Sequence, residues 1–172
     1  MAGKLGGLVS GLDTLEDQDV FALKHEQASV RSHSGELLLR KEGGASEIAF
    51  SLAEMTPLKD AVFSHNHPKG KSFSKEDILF AAKCNLAEIR AVGTDQWGNR
   101  WLYRFERPDN GWPELETVRK AAFDNESDIR AIFFDRIETG AMTREEADAS
   151  HHHALWTSAS RTIGGRYSRM KV

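Results

Sequence analysis

The chain has almost no capacity for disulfide chemistry: a single cysteine, Cys84, occurs in 172 residues, and a lone thiol cannot close an internal bridge. Its neighbours Ala81, Ala82 and Leu86 mark it as a small buried hydrophobe, and this usage suits a reducing cytoplasm. Long apolar runs are missing as well. Residues 1–11 are glycine-rich and only mildly apolar, so they suggest a flexible start rather than a membrane span or a cleavable signal. Charge of one sign is equally scarce. Twenty-three lysines and arginines against 26 aspartates and glutamates leave a net charge of −3, which argues against broad attraction to nucleic acid and favours a protein or peptide partner.

What is present is ordinary for a globular chain: 40% hydrophobic and 28% charged residues, enough for one domain with its own core. The concentrated signal lies in residues 63–80. Ala61-Val62-Phe63 opens a strand, and alternate strand residues share a face, so His65 and His67 point the same way about 6–7 Å apart. Pro68 and Gly70 then break the strand. Ser74, followed by Asp77 and the apolar Ile78, Leu79 and Phe80, reads as a helix N-terminus. Asp77 in that first turn can reach back to the histidines as a third ligand, leaving a fourth position for water, as in catalytic zinc sites. Ser74 and Asp77 are equally readable as a capping box alone, and a His-x-His pair by itself is weak. Their combination within one strand, loop and helix points to metal binding.

The remaining pattern is α+β. Residues 16–24 suggest a short helix or lead-in, 27–32 and 36–41 a hairpin turned at His33-Ser34-Gly35, and 47–51 a third strand. After a helix over 74–85, strands are expected at 88–94 and 100–106, where Trp101, Tyr103 and Phe105 form an inward stripe. A turn-rich linker at 108–113 leads to helices over 114–138 and 143–162, a hairpin that would dock on the sheet or on a partner. His151, His152 and His153 are successive, hence about 100° apart on a helix, and cannot all face one ion. The last basic residues, Arg161, Arg166, Arg169 and Lys171, read as a solvated helix end.

His65-Asn66-His67-Pro68 with Ser74-x-x-Asp77 resembles the JAMM signature of the MPN/JAB superfamily, which includes zinc deubiquitinases and RadC-like proteins. The likeness is dense over 61–92 and faint elsewhere, and the loop between the second histidine and the aspartate is one residue shorter than the family's. The resemblance implies a mainly antiparallel sheet flanked by helices, with a flexible N-terminus at 1–12, a catalytic domain at 13–107 and a C-terminal helical extension at 114–172. It implies Zn²⁺ on His65, His67 and Asp77, a metal-activated water, and an upstream glutamate as base. Glu26, which directly precedes the 27–32 strand, fits that glutamate best, whereas Glu36, Glu42 and Glu47 lie by turns or strand ends. By the same resemblance, Ser74 would steady the oxyanion.

The motif, residues 85–92 and the His-x-x-x-Trp tail followed by Tyr167 are also similar to JAB-like domains of phage Mu F-like head-morphogenesis proteins. This implies a phage or prophage setting, in the host cytoplasm or the particle, with phage structural proteins as partners. Three functions follow in order of expectation: a zinc metallopeptidase or isopeptidase, a catalytically idle interaction module of a phage particle, and a metal-dependent nuclease. The last ranks lowest because HNH nucleases spread their named residues over a ββα unit, whereas here they are consecutive.

Overall fold

A computed structural model of the chain describes residues 20–45 and 47–172. The expected flexible start at 1–12 and residues 16–19 of the 16–24 lead-in lie outside the described residues; Val20–Ala22 is a turn of 3-10 helix. The described chain is α+β, with a mixed six-stranded sheet and four helices. The strands are β1 (Gln27–Arg31), β2 (Leu37–Glu42), β3 (Val62–Asn66), β4 (Glu88–Thr94), β5 (Arg100–Glu106) and β6 (Arg166–Lys171), in the spatial order β2-β1-β3-β4-β5-β6. The helices are α1 (Leu52–Met55), α2 (Lys75–Lys83), α3 (Leu115–Glu138) and α4 (Arg144–Ile163).

All pairings are antiparallel except β3 with β4. That parallel pair needs a crossover, and α2 supplies it. The loop from His67 to Ser74 therefore sits where β3 leaves the sheet and α2 begins. Period-2 alternation puts Val30, Phe63, Ile89, Ala91, Tyr103 and Phe105 in one core with residues of the three longer helices, including Ile78, Val118, Leu155 and Trp156. Each large side chain fully buried there contributes about 1.5–3 kcal/mol. On the opposite face Val92 and Leu102 pack under Phe21 and Leu23.

Two expectations fail for reasons of pairing. Residues 47–51 are not a strand: both edges of β1 are already taken, by β2 and β3. Ile48 and Phe50 turn into the core instead, with the Phe50 ring 4.9 Å from Phe80. Ser51 then caps α1 in a capping box with Glu54.

Arg161 is an exposed cation in the last turn of α4, as expected, but Arg166, Arg169 and Lys171 are not a helix end. Gly164, at φ 84°, closes α4 in the left-handed conformation that glycine tolerates. Gly165 follows, where a Cβ would stand 2.4 Å from the Phe105 ring. The chain can then run against β5, pairing Glu106 with Arg166 through to Trp101 with Lys171. The cations are absorbed by the sheet: Arg169 lies 4.3 Å from the centre of the Trp101 ring, and Arg166 pairs with Glu106 and Asp109.

Candidate metal centre

Both histidines stand at the C-terminal end of β3. His65 is in the strand, and His67, one residue past it, still donates its backbone N–H to Val92 at 2.7 Å, so the alternation persists. Their Nε2 atoms are 2.8 Å apart. Asp77 completes the cluster, with Oδ1 3.5 Å from His65 Nε2 and Oδ2 3.4 Å from His67 Nε2. Among the described residues, His65, His67 and Asp77 form the one group whose ligand atoms all lie within 4.8 Å of each other.

Asp77 is a capping residue and a cluster member at once. Its Oδ2 accepts the Ser74 backbone N–H at 2.7 Å and the Ser74 hydroxyl at 2.8 Å, while Ser74 Oγ accepts the Asp77 N–H at 3.1 Å. The capping box holds the carboxylate at the helix start, and the loop brings it to both imidazoles.

That loop is held by glycine. Gly70, at φ 66°, donates its N–H to His67 at 2.9 Å and lies against β4, where a Cβ on Gly93 would meet the His67 carbonyl oxygen at 2.3 Å. Only glycines allow the loop and strand to approach this closely.

The three residues together could hold a metal ion. Tetrahedral bonds of about 2.0–2.1 Å separate neighbouring ligand atoms by about 3.3–3.4 Å. The two imidazole–carboxylate separations are of that size but run to different Asp77 oxygens, so the carboxylate would turn to offer one of them to both, and the imidazole pair would open by about half an ångström. His67 Nδ1 lies 2.8 Å from the Lys71 carbonyl, which can only accept, so Nδ1 carries the proton and Nε2 offers its lone pair. The Nδ1 of His65 is buried without such a partner.

The charges are tightly coupled. Burial opposes ionisation of Asp77, yet the two histidines outweigh it and hold the carboxyl well below its usual value. Burial also opposes the His67 cation, and Asp77 reverses the balance to raise its pKa.

Glu26 is brought to the same cavity and is only 8% exposed. Burial raises its pKa, against the pull of His67 and His65. Its backbone is clamped by Glu26 N–H to Gly44 and Gly43 N–H to Glu26, each at 2.8 Å. Asn66 fastens the next residues: its Oδ1 accepts the Gln27 N–H at 2.6 Å and its Nδ2 donates to His25 at 2.9 Å. Glu36 precedes β2 and Glu42 is its last residue, and neither they nor Glu47 line this cavity.

Two further residues belong to the surroundings of the site. Asn66 carried no signal beyond standing between the histidines, because its role depends on β1 lying alongside. His152 lines the cavity from α4. The three histidines diverge: His151 meets Glu126 at 3.2 Å and His153 meets the Tyr167 hydroxyl at 2.8 Å. No signal local to the helix marks which one faces the cavity.

No family model matches the chain, and neither a curated protein nor a solved structure matches it. No helix among the described residues is long and apolar enough to cross a membrane.

Proposed function

We propose that the chain is a metal-dependent hydrolase of peptide or isopeptide bonds, with His65, His67 and Asp77 as ligands, Zn²⁺ as the ion and Glu26 as general base. The observation that carries this reading is the placement of Glu26, a buried carboxylate with a raised pKa, in one cavity with His67 and Asp77. Such an ion, when bound, supplies Lewis acidity and a water acidified to a pKa of about 7.

The protein groups have separable tasks. Glu26 accepts the proton of the attacking water and returns it to the leaving amine, a transfer suited to a carboxyl whose pKa is moved toward neutrality. His67 keeps its tautomer through Lys71, and Asn66 holds the start of β1 so that Glu26 faces the cavity. The single Ser74 O–H donates to Asp77, so for Ser74 to steady an oxyanion it must turn from that carboxylate.

The test is metal content and cleavage measured together. Purified protein should carry about one zinc per chain, and His65→Ala/His67→Ala should carry none. Glu26→Gln should keep the metal and lose cleavage of a fluorogenic peptide pool. Equal, negligible zinc in all three proteins would sink the metal site. Full zinc without cleavage in the wild-type chain would favour the interaction module instead.

A further inference from the structure

The cavity at the metal cluster is small, about 160 Å³, while an adjoining groove measures about 390 Å³. Pro68, Lys69 and Lys71 line both, so the two spaces meet at the loop. Sites for substantial ligands occupy about 300–1,000 Å³, so the smaller space has room for the reacting group and the groove for what flanks it. The lysines stand at the junction.

The charges of the groove are mostly committed. Lys71 Nζ is bound by Asp148 at 2.7 Å. Asp95 takes the backbone N–H of Trp97 and Asn99 at 2.9 Å and the Trp101 indole at 2.8 Å. Lys69 is different: it is exposed, and it has no hydrogen bond or ion pair among the described residues.

Its backbone is nevertheless fixed. The Gly70 N–H closes a turn onto His67 at 2.9 Å, with Pro68 and Lys69 as the central residues, and Gly70 is wedged against Thr94. A divalent ion would balance Glu26 and Asp77, and Lys71 is paired with Asp148, so Lys69 is the lysine at the junction with no carboxylate bound to it among the described residues.

We propose that Lys69 is a specificity-determining residue that pairs with a carboxylate on the substrate beside the scissile bond, either an acidic side chain or a free C-terminus. The proposal rests on the hydrolase reading for its substrate class. An exposed ion pair favours the charged partner by up to about fivefold.

The test reads binding separately from cleavage, using the full chain loaded with zinc. Three fluorescein-labelled hexapeptide pools, randomised elsewhere, are titrated by anisotropy against Glu26→Gln protein of verified zinc content and against the same protein carrying Lys69→Ala or Lys69→Glu. One pool has central Glu and an amidated end, one central Gln and an amidated end, and one central Gln and a free end. The Glu pool, or the free-end pool if the terminal carboxylate is the one recognised, should bind tighter than the neutral pool by up to about fivefold. The preference should vanish with Lys69→Ala, reverse with Lys69→Glu and weaken with added salt. Equal binding of the three pools, no binding at all, or a preference that survives Lys69→Glu overturns the proposal. Failure of the hydrolase reading shows separately, as zinc-loaded wild-type protein that cleaves none of the pools.

Discussion

Trp156 of α4 donates its indole N–H to the carbonyl of Phe73 at 2.7 Å, and both side chains are fully buried. A helix distant in sequence thereby anchors the residue just before the Ser74 cap. Neighbouring contacts repeat the pattern: Lys71 to Asp148, Lys75 to Glu126, and Ser72 to the Tyr167 hydroxyl, which also meets His153. The loop beside the His65-His67-Asp77 cluster is thus fastened by α3, α4 and β6.

Trp156→Phe keeps most of the apolar contact and deletes the N–H. The Phe73 carbonyl then lacks its donor, so unfolding in urea should show a loss of about 1–3 kcal/mol. Zinc affinity, measured by competition with a chelating dye, should fall as well, because the loop loses an anchor. An unchanged midpoint would remove Trp156 from this role.

Asn66→Ala separates the metal from the base. It strips the buried Gln27 N–H of its acceptor, at a cost of about 1–3 kcal/mol, without touching a ligand. Zinc stoichiometry should stay at one per chain while cleavage falls at least tenfold. Loss of zinc together with activity would show that Asn66 acts through the ligands instead.

Glu126 gives a pH signature. Its hydrogen bond from Lys75 leads the causes that hold the carboxyl down from 4.5 to about 2. A depressed carboxyl pKa stabilises the fold above the unfolded value, and that contribution disappears as pH falls toward the folded value. The stability gap between wild type and Glu126→Gln should therefore be constant above about pH 5 and close between pH 5 and 2. A gap that persists at pH 2 would contradict the assignment.

Cys84 should be silent in the native state. It is buried, and burial pushes its thiol up to about 11, so little thiolate forms at pH 8. A chromogenic disulfide reagent should react slowly with folded protein and rapidly, at one thiol per chain, in denaturant. Fast native labelling would mean that the α2 end opens readily.

The features legible in the sequence are those set within a few residues. The β4 and β5 strands follow from alternation on either side of a turn, and α2 from Ser74 and Asp77, whose capping box is made by backbone groups three residues apart. His65 and His67 fall on one side because strand geometry repeats every two residues. Gly164-Gly165 marks the end of α4, but not the strand that follows.

What the sequence determined by itself was therefore the local donor set: two imidazoles at strand spacing and a carboxylate in a first helical turn. Only the tertiary structure decided which strand edges were free, sending residues 47–51 into the core and adding β6 beside β5. It also decided that Asn66 reaches β1, that His152 rather than His151 or His153 faces the cavity, and that Lys69 stands where two spaces meet. Caps and alternation are enforced by neighbouring backbone atoms, whereas pairing and cavity lining depend on contacts between distant segments, whose partners no local pattern specifies.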